Sequence, residues 1–141
     1  MTVVNPRNAK LLKVALPVCL LLAGWLWFNP PGRFGWCCFG LTTYGGWPRP
    51  IADLQIKADG SLRKVPKTHA LPLDQIQWVI EPLPETLIIS TGWNGVLEPD
   101  EPIKKLKGVE VRILKSKEAA ELFNQLKKAG KRVAIHFHST C

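Results

Sequence analysis

VEVRILKSKEAAELFNQLKKAGKRVAIHF, residues 109–137, decides the fold. Val109, Val111 and Ile113 alternate with Glu110 and Arg112, the period of two of a strand with one apolar face. Ser116 is placed to cap a helix whose stripe is Ala119, Leu122, Phe123 and Leu126. Lys127 and Lys128 suit the negative end of its dipole, and Gly130 stops it. Val133, Ile135 and Phe137 then alternate with Ala134, His136 and His138, so a second strand follows.

Just upstream, Glu85–Ser90 carries Leu87-Ile88-Ile89, a short continuous apolar run that predicts a strand buried on both faces. Asp100-Glu101-Pro102 opens a short helix, Ile103 and Leu106 face inward, and Gly108 closes it. Strand, helix, strand, helix, strand at this spacing implies parallel strands joined by right-handed crossovers. The fold class is therefore α/β. Further upstream, Ile51–Ile56 and Leu62–Val65 flank Asp59-Gly60, a hairpin that extends or covers the sheet and makes it mixed. Leu73, Ile76, Val79 and Ile80 lie at helical spacing after Pro72. Phe39–Thr43 reads as the first strand, bounded by Gly40 and Gly45-Gly46, which predicts a domain over 39–141 and a Gly/Pro/aromatic linker over 29–38. Phe34, Trp36, Phe39, Tyr44 and Trp47 are also suited to a membrane interface.

The 141 residues carry a formal net charge of +8, and its position matters more than its size. Arg7, Lys10, Lys13, Arg33 and Arg49 stand in the first fifty residues without a single acid, whereas the rest is nearly balanced. The basic residues of the body, Lys104, Lys105, Lys107, Lys127, Lys128, Lys131 and Arg132, lack interleaved aromatics and have Glu98, Asp100 and Glu101 nearby. A nucleic-acid partner is not expected. Four Cys are too few for a disulfide-built scaffold, and 46% hydrophobic residues exclude a disordered chain.

After a basic flank over 1–10, residues 11–28 form an apolar segment that includes Val14 and Leu20 and ends in Trp25, Trp27 and Phe28. As a helix it is about 27 Å long, close to the hydrocarbon thickness of a bilayer. It is expected to be a transmembrane anchor in contact with lipid, the aromatic end lying at one interface. The basic flank keeps the N-terminus cytoplasmic and exports the domain. A cleaved signal with a secreted product, or a mitochondrial location, is the alternative; the residues after Phe28 supply no small-x-small cleavage site.

Three groups of residues have chemistry. Ser90-Thr91-Gly92-Trp93-Asn94-Gly95 follows the central strand, where α/β sheets bind ligands, and Gly92 and Gly95 allow close backbone approach. Without a P-loop or dinucleotide spacing it reads first as a tight turn and second as an anion cradle. His136, His138 and Cys141 offer imidazole and thiol donors, but three ligands from one strand end are a thin set, and packing is the expected role. Cys141 as a nucleophile beside His69 or His138 is weighed in the same way. Asn124 and His69 read as polar residues tying helices to loops. No catalytic constellation, metal or cofactor is expected.

Asp53-Leu54-Gln55-Ile56, His69 with the helix through Trp78, Pro84–Gly92, Glu118-Ala119, Phe123-Asn124, Gly130–Val133 and His138–Cys141 together resemble the Mth-nine-three-eight-like domain. That family includes adipogenesis-associated proteins and a mitochondrial complex I assembly factor. The resemblance spans Phe39–Cys141 and implies a three-layer β/β/α domain with no established catalytic activity. The chain departs from it at Ser90, where Gly is usual, and in its apolar leader. The function expected is a membrane-tethered, non-enzymatic module that binds a protein partner. The alternative is a small-molecule or anion-binding domain, or a weak enzyme, using Thr91–Gly95 with His69, Asn124 and His138.

Overall fold

The structure, a computed structural model, describes residues 6–141; residues 1–5, half of the basic flank, lie outside the described residues. α1 (Pro6–Phe28) is one unbroken helix with Pro17 inside it. Its Lys10–Phe28 stretch has a mean hydropathy of 2.0 and buries none of its residues against the rest of the chain. It is long and apolar enough to cross a membrane.

Three strands follow directly: β1 (Phe34–Cys38), β2 (Leu41–Tyr44) and β3 (Trp47–Pro50), paired antiparallel in that order. Half of the expected linker over 29–38 is therefore strand, and the folded unit begins before Phe39. Phe34 is buried, its ring 5.2 Å from Tyr44 and 5.3 Å from Phe123, both edge to face, and 4.8 Å from Phe137. Phe39, Trp36 and Trp47 are exposed instead. Sequence reading of this stretch goes astray because the pairing with β2 shifts register between Phe34 and Cys37, which buries Phe34 and leaves Trp36, two residues on, exposed.

The main sheet contains β4 (Asp53–Ile56), β5 (Leu62–Val65), β7 (Thr86–Ser90), β9 (Glu110–Leu114) and β10 (Val133–Phe137), in the order β5-β4-β10-β7-β9. β10, β7 and β9 are parallel, as the strand-helix alternation predicts, and β4 and β5 continue the sheet antiparallel. The Asp59-Gly60 hairpin closes with the Lys57 amide donating to the Ser61 carbonyl. A two-stranded parallel pair, β6 (Ala70–Leu71) and β8 (Glu98–Pro99), lies apart from it.

The sheet buries both faces. On one side Leu54, Ile56, Ile88, Val133, Ile135 and Phe137 pack with Phe34, Tyr44 and the Phe123 face of α4 (Ser116–Lys128). On the other, Leu87, Ile89 and Ala134 meet Ile76 of α2 (Leu73–Ile76), Val79, Leu97 and Ile103 of α3 (Glu101–Lys104). α2 is a single turn; Val79 and Ile80 still bond back to the Ile76 carbonyl and bury the residues expected to line a longer helix. α4 ends as the sequence requires. Gly130 has φ +72, its amide donates to Lys127 and the Lys131 amide to Leu126, the paired bonds of a Schellman stop. Its start differs: Lys115 occupies the cap position and Ser116 is already helical, because the Ser116 hydroxyl is used elsewhere.

Asn29 joins α1 to the domain. It is buried, its amide and side-chain NH2 both donate to the Trp25 carbonyl, and its Oδ1 accepts from the Trp36 amide and the Thr43 hydroxyl. Trp25 Nε1 donates to the Gly46 carbonyl at 2.8 Å. Gly35 packs so closely on this joint that a Cβ would collide with Asn29 and Thr43. The helix exit is thus held by specific polar bonds to two strands.

Candidate functional site

Where β4 and β10 pair, the face shared with Ala134 turns from apolar to polar. His136 stands opposite Gln55, and one step on His138 meets Asp53. All four are buried. Buried polar groups must be paired to offset desolvation. Gln55 Nε2 donates to the Gln75 carbonyl at 2.8 Å and to His136 Nδ1 at 3.0 Å, while its Oε1 accepts from Arg63 at 2.7 Å and 3.0 Å. Burial pushes the His136 pKa down to about 4, so its imidazole is neutral.

The next row has chemistry of its own. His138 Nδ1 lies 2.6 Å from Asp53 Oδ2. Asp53 Oδ1 accepts from the Ser139 amide at 3.0 Å and the Ser139 hydroxyl at 3.2 Å, with Lys67 Nζ 3.6 Å away. Burial acts to raise the Asp53 pKa, but the hydrogen bonds from His138 and Ser139, together with the Lys67 charge, outweigh it and hold the carboxyl below its usual range. The far nitrogen, His138 Nε2, is buried and has no hydrogen-bond partner among the described residues.

The chain after His138 is pinned at each step. Ser116 and Ser90 hydroxyls donate to the His138 carbonyl, the Gly40 amide to Ser139, the Trp93 amide to the Thr140 carbonyl, and Lys67 to Thr140 Oγ1 at 2.8 Å. Cys141 is thereby delivered to His69, its Sγ 3.4 Å from His69 Nε2. His69 is held from its own side by the Glu98 amide, which donates to its carbonyl at 2.8 Å. The His69 and His138 rings meet edge to face with centroids 5.9 Å apart. Lys67, Thr68, His69, His138, Thr140 and Cys141 line an open pocket of about 380 Å³.

Of the candidate ligand-binding residues, His69 and His138 come together, His69 exposed and His138 buried, with the half-buried Cys141 beside them. Gly92 borders the same tail, but as packing: it has φ +95, and a Cβ would collide with the Cys141 carbonyl. Two amides of the expected anion cradle, those of Thr91 and Trp93, are spent on structure. Thr91 N donates to Leu114, Trp93 N to Thr140 and Leu97 N to Thr91, and the Thr91 hydroxyl bonds Leu114. Gly95 faces Lys115. Asn124 is engaged elsewhere: its Oδ1 accepts the Phe34 amide at 2.8 Å and its NH2 donates to the Phe34 carbonyl at 2.7 Å, clamping β1 to α4. His136, grouped with His138 and Cys141 by sequence spacing, turns its Nδ1 to Gln55.

Sequence reasoning passes over Asp53, Lys67 and Ser139. Asp53 carries the one available signal, a carboxylate opening the strand Asp53-Leu54-Gln55-Ile56, where burial demands a partner. Several basic residues are matched locally: Lys104 and Lys105 pair with Glu101 at 2.7 Å and 3.5 Å, and Arg132 with Glu85 at 3.9 Å.

No family model matches the chain. Among solved structures it is similar to the protein named MT938, at 28% identity over 77% of this chain and 98% of that one, with a TM-score of 0.65. It shares its fold with the conserved hypothetical protein PH1505 from Pyrococcus horikoshii OT3 (24% identity, 77% and 99% covered, TM-score 0.67). An outer membrane protein from Bartonella henselae shares it too (21%, 79% and 98%, TM-score 0.64). The α/β domain has an MT938-like fold.

Proposed function

We propose that this chain is a member of the Mth-nine-three-eight-like family, carried on one membrane-spanning helix and acting as a protein-interaction or assembly module. The observation that carries the tether is α1: an apolar helix of bilayer length with no buried residue over Lys10–Phe28, touching the domain only near its end. An apolar helix left in water forfeits about 25 cal/mol for each Å² it fails to bury, so hydrocarbon is its natural surrounding. Trp25 and Trp27 at its end, with exposed Trp36, Phe39 and Trp47 on the adjoining sheet, suit the headgroup region. The β/β/α layering expected from the family agrees with a core on each face of the main sheet. The assembly role rests on the resemblance to assembly-associated proteins.

Alkaline carbonate extraction tests the tether. The full chain stays with the membrane pellet, and the double variant Leu20→Arg, Leu21→Arg moves to the supernatant, since each centre-placed Arg costs about 2.5–3.5 kcal/mol on insertion scales. Full extraction of the unmodified chain overturns the tether. Affinity capture of the detergent-solubilised chain after chemical cross-linking tests the role: one reproducible, near-stoichiometric protein partner is expected, and its absence overturns the module reading.

A further inference from the structure

We propose that His69, His138 and Cys141 form a binding site for a zinc-class divalent transition-metal ion. The site stands whether or not α1 spans a membrane. The three donor atoms lie within 4.8 Å of one another, although they come from the loop before β6, the end of β10 and the tail after it. The 3.4 Å between Cys141 Sγ and His69 Nε2 is about the edge of a tetrahedron with Zn–N near 2.1 Å and Zn–S near 2.3 Å. Closing a 4.8 Å donor separation to that edge takes a shift of about 1.4 Å, within reach of side-chain rotation at the exposed His69 and half-buried Cys141.

A second, independent observation points to a ligand. His138 is fully buried, and its Nε2 has no hydrogen-bond partner among the described residues. Its Nδ1 is committed to the Asp53 carboxylate, which leaves Nε2 as the ring atom free to ligate. A carboxylate behind a histidine in this manner fixes ring orientation and raises ligand basicity at metal sites. Asp53 is itself held by the Ser139 amide and hydroxyl and by Lys67.

Two imidazoles and a thiolate are a borderline-soft set that favours zinc over magnesium or calcium, which prefer oxygen ligands. Three protein donors leave a fourth position toward the pocket shared with Lys67 and Thr140, open to water or to a donor from a partner. On binding, the Cys141 thiol releases its proton to solvent and both imidazoles bind neutral, so affinity falls as pH falls.

The full chain, solubilised in detergent, reduced and stripped with a chelator, is titrated with Zn2+ alone by calorimetry and with Co2+ alone by absorption. One ion per chain is expected, with a thiolate-to-cobalt charge-transfer band and the intense visible bands of a tetrahedral ion. Cys141→Ser loses the charge-transfer band, and His69→Ala weakens Zn2+ binding at least tenfold. Both residues are at least partly exposed, so far-ultraviolet circular dichroism should stay unchanged. Asp53→Asn keeps all three donors and weakens binding ten- to a hundredfold, the range for such orienting partners. Zn2+ should also slow alkylation of Cys141 by iodoacetamide. Absence of a one-to-one complex, or binding that survives in both His69→Ala and Cys141→Ser, overturns the site. An alkylation rate indifferent to Zn2+ reduces the cluster to a hydrogen-bonded thiol–imidazole pair and overturns it as well.

Discussion

At the scale of single residues, Gly92 and Asn124 act through backbone contacts. Gly92 sits at φ +95 against the carbonyls of Cys141 and Thr140, so a methyl group there meets both a disfavoured backbone region and occupied space. Gly92→Ala is expected to destabilise the domain by about 1–3 kcal/mol in urea unfolding and to loosen the tail that delivers Cys141 to His69. Asn124→Ala strands the amide and carbonyl of Phe34 and should cost about 1–3 kcal/mol in the same assay. Neither role is legible in the sequence. A glycine after a strand and an asparagine in a helix have many uses, and the partner that selects one lies 49 or 90 residues away. His138 could be singled out as a polar residue on an alternating strand. Its pairing with Asp53 and nearness to His69 need the pairing of β4 with β10.

Among the elements, α4 and the parallel strands are visible because their signals are local. The stripe of α4, its Schellman stop at Gly130 and the apolar run of β7 each lie within a dozen residues. β1 is the opposite case. Its sequence, Phe34-Gly35-Trp36-Cys37-Cys38, has no clean alternation, and only packing against Phe123 and Phe137 turns Phe34 inward. Phe34→Ala should lower stability by about 3–5 kcal/mol, the range for a buried Phe. Phe39→Ala, exposed at the start of the expected domain, should change it by less than about 0.5 kcal/mol. Thermal unfolding of the two variants checks both values; equal, small effects would return 29–38 to the status of a linker.

For the whole molecule, the joint at Asn29 matters most. A helix tied to two strands through Asn29 and Trp25 sets how the domain stands on whatever surface α1 enters, which a flexible linker would leave undefined. With Lys10 and Lys13 at the N-terminal end of the apolar stretch, the domain is expected on the exported side. Glu121→Cys, on the exposed face of α4, should then gain label from a membrane-impermeant maleimide in intact cells. Labelling that appears only after lysis reverses the orientation.

By itself the sequence determined the parallel β7, β9 and β10 core, its crossover helices, the hairpin of β4 and β5 and the existence of a long apolar helix. Each is written in the spacing of neighbouring residues, and hydrophobic periodicity is a local quantity. Only the tertiary structure decided where the domain begins, that Asn124 serves β1, and that His69, His138 and Cys141 meet over Asp53. Those outcomes depend on strand order. β10 inserts between β4 and β7, and that placement, set by total burial of the sheet, brings residues from three separate segments to one corner.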